Sequence, residues 1–176
     1  EAIESTQKAL RINPERASAW INLGMVYDSL SQASMAVDAY QQALRINPEH
    51  AEAWYNLGNS YGKTGQFGKA IDAFQQSLRI NPEFGHAWIN LGVIYRKTRQ
   101  FQKAIEAGQK ALQVNPEDAK AWHNLGLTYG VADQFPIAIE ALQQAVRINP
   151  GDIDAWYDLG LAYTVLGLRG KAIEVY

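Results

Sequence analysis

The sequence predicts an all-α repeat array whose unit is a pair of helices, and three observations predict it. All five tryptophans of the 176-residue chain, Trp20, Trp54, Trp88, Trp122 and Trp156, stand 34 residues apart. Each opens the same local pattern, with Leu, Gly and Tyr following in the second copy as Leu57, Gly58 and Tyr61, one face of a helix. Asn-Pro recurs with the same step at Asn13-Pro14, Asn47-Pro48, Asn81-Pro82, Asn115-Pro116 and Asn149-Pro150. A fixed period of this length reads as stacked units, each packing on its neighbours without one closed core.

The elements follow in order. Residues 1–16 match only the second helix of a unit, because Ala2, Ala9 and Pro14 align with Ala36, Ala43 and Pro48. Full units are expected over 17–50, 51–84, 85–118 and 119–152, and a truncated one over 153–176. Within 51–84, Trp54, Leu57, Gly58 and Tyr61 mark the first helix, and Thr64-Gly65-Gln66 breaks it. Ala70, Ile71, Phe74, Ser77 and Leu78 mark the second helix, which Ile80-Asn81-Pro82 ends. Proline lacks the donor for the next turn and disfavours helix in the residue before it, and Asn tolerates a left-handed cap. Arg11, Arg45, Arg79 and Arg147 fall in last turns, and Glu15, Glu49, Glu83 and Glu117 beside the next helix start, as the helix dipole favours.

Some positions depart from the pattern. Gly108 stands where Tyr40, Phe74 and Leu142 stand, a smaller knob on a helix-weakening residue, so the third unit is expected to be the loosest. Ser77 replaces Ala43, Ala111 and Ala145. Ser31, Arg99 and Asp133 replace Gly65 and Gly167 in the inter-helix turn. Pro136 falls near a helix start, where proline is tolerated. Polar-faced terminal caps are absent, so the chain reads as a piece of a longer array, or as an array that joins others end to end.

Composition bounds the function. A 47% apolar and 11% aromatic content supplies ample burial for an ordered chain. A net charge of -2 argues against a nucleic-acid binder, which is usually basic. The absence of cysteine excludes disulfides and thiolate chemistry and leaves the compartment unassigned, with the cytoplasm favoured. No apolar run approaches the roughly 20 residues of a membrane span. The opening Glu1-Ala2-Ile3-Glu4 is unlike a signal peptide; it falls inside a repeat, so the natural N-terminus is expected to lie upstream.

The pattern Trp-x-x-Leu-Gly-x-x-Tyr, then Ala, an aromatic residue, and Pro, carried by Trp54, Leu57, Gly58, Tyr61, Ala70, Phe74 and Pro82, resembles the tetratricopeptide repeat (TPR) along the whole chain. The resemblance implies antiparallel helix pairs stacked into a right-handed α-α superhelix, with the first helices lining a concave groove. It also implies that Trp, Leu, Gly and Tyr are spent on stacking, so that function lies on the remaining first-helix positions. The candidate groove residues are Asn22, Tyr55, Asn56, Asn59, Lys63, His86, Asn90, Arg96, Lys97, Lys120, His123, Asn124 and Tyr157.

Two patterns run through that set. Asn22, Asn56, Asn90 and Asn124 form a ladder of amides, broken at Asp158, and an amide can pair with both groups of a peptide backbone. The ladder is similar to the asparagine-lined superhelix of O-linked N-acetylglucosamine transferase, and it also occurs in ordinary TPR scaffolds. Lys63, Arg96, Lys97 and Lys120, with His86 and His123, gather positive charge in the middle units, flanked by Asp28, Glu52, Asp154 and Asp158. Such a patch would favour an acidic segment or a C-terminal carboxylate. The carboxylate clamp of chaperone-binding TPRs is matched at Asn59, Asn90 and Lys120 but fails at Tyr55 and Asn124, so chaperone tails are not expected.

No catalytic constellation is visible. His50, His86 and His123 do not share metal-ligand spacing on one helix, the glycines sit at packing and turn positions, and nothing orders a triad. The expectation is a noncatalytic protein-interaction scaffold without cofactor or metal. The alternatives are an assembly element that self-associates end to end through its terminal helices, and the substrate-recruiting arm of a larger glycosyltransferase or signalling enzyme.

Overall fold

The computed structural model describes residues 8 and 10–175. Ala2 and Ala9, which carried the match of 1–16 to a second helix, lie outside the described residues. After helical residues at 10–12 come α1 (Ala17–Ser29), α2 (Ala33–Ile46), α3 (Ala51–Lys63), α4 (Phe67–Ile80), α5 (Gly85–Lys97), α6 (Phe101–Val114), α7 (Ala119–Val131), α8 (Phe135–Ile148), α9 (Ile153–Val165) and α10 (Arg169–Val175). Among the described residues there is no strand. The chain divides into two compact units, Glu1–Ala87 and Trp88–Tyr176. In the first, α1 packs on α2, α2 on α3 and α3 on α4; in the second, α6 packs on α7, α7 on α8, α8 on α9 and α9 on α10.

The turn inside each pair needs a left-handed residue. Gly65 and Gly167 supply it at φ 73° and 71°, and Ser31, Arg99 and Asp133 adopt the same conformation at 59°, 60° and 58°. The side chain is therefore tolerated there at a modest backbone cost, of order 1 kcal/mol. The Asn-Pro corner works differently from the expected left-handed cap. Asn47, Asn81, Asn115 and Asn149 have φ between -125° and -140°. Instead, Oδ1 of Asn13, Asn47, Asn81 and Asn115 accepts from the backbone N–H two residues on, at 3.1 to 3.2 Å, closing an Asx turn. The carbonyl of the following proline then accepts from a tryptophan Nε1: Trp20 to Pro14, Trp54 to Pro48, Trp122 to Pro116 and Trp156 to Pro150, at 2.8 to 3.0 Å. The two most conspicuous letters of the repeat are thus one device, which fixes the angle at which each first helix leaves the corner. His50, Asp118 and Asp152 cap the N-termini of α3, α7 and α9 by accepting from the backbone N–H three residues on.

In three of the pairs a first-helix glycine packs against a large side chain. A Cβ on Gly24 would lie 2.6 Å from the Tyr40 ring, one on Gly58 2.8 Å from Phe74, and one on Gly126 2.7 Å from Leu142. Tyr40 and Phe74 are each 1% exposed. Gly92 is the exception. Its nearest neighbours would be the Ala104 carbonyl at 3.4 Å and the Ala107 Cβ at 3.6 Å, because Gly108 presents no knob. Leu125 leans toward the vacated space, 3.1 Å from where a Gly108 Cβ would sit, and α6 runs unbroken through Gly108.

Between pairs, the closing tyrosines accept from glutamines: Gln41 to Tyr61 at 2.8 Å and Gln143 to Tyr163 at 2.7 Å. Pro136 enters α8 in its first turn, as its position allows. Ser77 is buried with its Oγ unbonded, an alanine position that has acquired a hydroxyl without a partner.

Candidate peptide-binding face

In Glu1–Ala87 the face is carried by α1 and α3. Asn22 is exposed on α1 and Met25 is 50% exposed beside it, with Asn56 and Asn59 half-buried on α3. Neither the Asn22 nor the Asn56 side chain has a hydrogen-bond partner among the described residues. Tyr55 is half-buried, its ring 4.8 Å from Phe84 and 6.0 Å from Phe74, and exposed His86 meets Phe84 edge-on at 6.5 Å. Tyr55 is therefore part of a ring stack at the rim of the face.

The charges of this unit are organised by a residue that sequence reading treated as a flanking acid. Asp28 Oδ1 faces Lys63 Nζ at 2.7 Å, while Oδ2 accepts from Ser60 Oγ at 2.8 Å and Tyr40 Oη at 3.2 Å. One carboxylate thus ties α1, α2 and α3 together. Burial, followed by the Asp28 charge and the hydrogen bond to it, raises Tyr40 above the ordinary phenol value of 10. The Asp28 role was hard to find because its partners, Ser60 and Lys63, lie more than 30 residues along the chain. The available signal was the period: an acid late in one first helix faces the late positions of the next.

In Trp88–Tyr176 the candidates are Asn90, Arg96 and Lys97 on α5, Lys120, His123 and Asn124 on α7, and Tyr157 on α9. His123 Nε2 lies 2.7 Å from Asp158 Oδ2, and Nδ1 lies 3.9 Å from Asp152. Arg96 Nη2 donates to Asn124 Oδ1 at 3.4 Å, and Asn124 Nδ2 donates to the Lys120 carbonyl at 2.9 Å. Burial pushes the Arg96 guanidinium below its ordinary range, and the Asp158 charge opposes that. The Arg96 Nε is buried without a partner. Lys97 and Lys120 are exposed, and Tyr157 is 59% exposed. Lys63, Arg96 and His123 are thus each engaged within their own unit. Asn124, unlike Asn22 and Asn56, is held from both ends of its amide.

No group of three or more His, Asp or Glu side chains among the described residues is placed to hold a metal ion, and no described helix is long and apolar enough to cross a membrane.

Comparison with known proteins places this geometry. The family model of the cilia and flagella-associated protein 70 C-terminal domain, a TPR model, matches residues 1–155. No curated protein matches the chain. Among solved structures, YrrB, described as a TPR protein with an unusual peptide-binding site, is 29% identical with a TM-score of 0.79, over 99% of this chain and 90% of that one. A MamA structure is 30% identical with a TM-score of 0.81, over 87% of this chain and 90% of that one. A tetratricopeptide repeat protein from Parabacteroides merdae, 20% identical over 99% of this chain and 69% of its own, shares the fold with a TM-score of 0.85. With the helix pairs, four Trp–Pro corners and three glycine sockets in place among the described residues, the chain belongs to the tetratricopeptide repeat family as an all-α TPR solenoid.

Proposed function

We propose that the chain is a noncatalytic protein-interaction module that holds an extended segment of a partner protein on the first-helix face. The observation that carries this reading is the pair of unengaged amides, Asn22 and Asn56, beside exposed Met25 on α1 and α3 of one unit. An amide presents both donor and acceptor, so it pairs with a peptide backbone whatever its sequence, and an apolar neighbour adds side-chain preference. The likeness to YrrB, with its peptide-binding site, supports the same reading. An acidic or carboxylate-ended partner, the expectation from charge, now rests mainly on exposed Lys120, since Lys63, Arg96 and His123 are engaged. The test is a peptide selected by display against the whole chain and given a spin label. Broadening of amide resonances on α1 and α3 supports the proposal, and broadening confined to α2 and α4 overturns it.

A second reading is end-to-end self-association. Ile153, Tyr157, Leu161 and Val165 follow one another at four-residue steps on α9, exposed by 81, 59, 47 and 53%. By contrast Ile89, the counterpart of Tyr157 on α5, is buried against Ala121 of α7. Of the two faces expected to join copies, 163–176 overlaps the α9 stripe at Val165, and 1–12 falls mostly outside the described residues. A monomeric mass by light scattering at high concentration would remove this reading.

A further inference from the structure

We infer a cation-recognising subsite in Glu1–Ala87, a cavity of about 420 Å³ that takes the arginine or lysine side chain of a bound segment. It lies where the two inter-repeat loops of the unit come together and is lined by Glu49, His50, Ala51, Glu52, Asn81 and Phe84. The identification of a cationic side chain rests on three features of the lining.

The first is the ring. Phe84 is held by Tyr55 at 4.8 Å, and Tyr55 in turn by buried Phe74 at 6.0 Å, so the cavity has a pre-positioned aromatic wall. The second is charge. Glu52, in the first turn of α3, is exposed and has no ionic or hydrogen-bond partner among the described residues. Among the described residues the Glu49 carboxylate meets only Arg79, at 3.5 Å, with both side chains about two-thirds exposed. The lining contains no lysine or arginine, and the groove cation of α3, Lys63, stands at the opposite end of the helix, held on Asp28 at 2.7 Å. The third is the state of the remaining polar groups. His50 Nδ1 is spent accepting from the Ala53 N–H, and Asn81 Oδ1 from the Glu83 N–H.

An anion would be repelled by the two carboxylates, and an apolar side chain would leave them unused. A cation uses both the carboxylate and the π-face. A guanidinium does so best, since it can lie flat on the ring while it forks to Glu52. The subsite rests on the peptide-binding reading for its biological occupant. It gives that reading a direction: a segment bound in this unit carries a basic residue at the loop edge of α3.

The test is a ¹H–¹⁵N titration of the whole chain with Nα-acetyl-arginine amide, Nα-acetyl-lysine amide and Nα-acetyl-norleucine amide. Arginine amide should give saturable shifts at Glu52, Asn81 and Phe84, lysine amide weaker ones, and norleucine amide none at these positions. The exposed, near-isosteric change Glu52→Gln should weaken arginine binding by about three- to fivefold, the scale of one exposed ionic contact. Shifts that arise equally with norleucine, or Glu52→Gln binding as the parent does, would overturn the assignment. Because the ligand is a single amino-acid amide, that result leaves the spin-labelled peptide experiment untouched, and the two can fail separately.

Discussion

In Glu1–Ala87 both first helices carry a glycine against a ring, Gly24 under Tyr40 and Gly58 under Phe74. In Trp88–Tyr176 one socket is filled by Leu142 over Gly126, and another sets Gly92 against the backbone near Gly108 with no knob between. The polar faces differ as well. The first unit closes its charges on Asp28 and leaves the amides of Asn22 and Asn56 unengaged. The second links Arg96 to Asn124 and His123 to Asp158. A repeat that folds one way throughout can therefore set its glycines on rings and leave its amides open in one unit, and set a glycine on backbone and tie its polar groups together in the other. The stacking positions decide the first property and the quieter positions between them decide the second.

The strongest way to break that contrast is through the glycines. Gly58→Ala drives a Cβ into the Phe74 ring and should cost about 1–3 kcal/mol as overpacking. Gly92→Ala meets ordinary contacts, removes a helix-weakening residue, and should be neutral or stabilising by up to about 1 kcal/mol. Urea unfolding of both variants decides it, and equal losses would mean that Gly108 leaves no slack. The hub comes next. Asp28→Ala removes the acceptor for buried Tyr40 and should cost about 2 kcal/mol, mostly through that group, since Ser60 keeps the Asn56 carbonyl at 3.1 Å. Lys63→Ala, which touches only a half-exposed ion pair, should cost under about 1 kcal/mol in the same assay.

Alkaline pH sharpens the comparison further. Burial and Asp28 raise Tyr40, so below the ordinary phenol value both folded and unfolded chains keep the proton and this stabilisation is fully present. As pH rises past 10 the unfolded chain loses the proton first, and stability falls by up to about 1.4 kcal/mol per pH unit. Tyr40→Phe should flatten that part of the stability–pH curve; an unchanged slope would remove Tyr40 as its source. A stabilising effect is expected at Ser77. Ser77→Ala relieves an unbonded buried hydroxyl and should raise stability by about 1 kcal/mol, read as a higher urea midpoint.

The fold was legible because its determinants are periodic. The tryptophans, the Asn-Pro corners and the Gly–Tyr and Gly–Phe pairs recur with the repeat, and even the vacancy at Gly108 could be read by comparing copies. What the corners do was less legible. The asparagine accepts from a backbone N–H in extended conformation, and the left-handed residue sits instead in the other turn, at Ser31, Arg99 and Asp133. A side chain that can serve two kinds of turn does not announce which it serves. The face was legible as a set of positions and illegible as a set of partners. Asn56 and Asn124 occupy the same register, yet only Asn124 is held, because Arg96 happens to reach it from the preceding first helix. Charges were the hardest to read. Lys63 and His123 look like an open cationic surface until the acid on a neighbouring first helix is placed beside each.

The most direct measurement of the central claim is calorimetric titration of the display-selected peptide into three proteins: the parent chain, Asn22→Ala/Asn56→Ala and Asn124→Ala. Two backbone-directed amide contacts at about 1 kcal/mol each predict a loss of affinity of about 10- to 30-fold for the double variant. Its thermal midpoint should be unchanged, and Asn124→Ala should bind close to the parent affinity. Parent-like affinity in the double variant, or an equal loss in Asn124→Ala, would contradict the account.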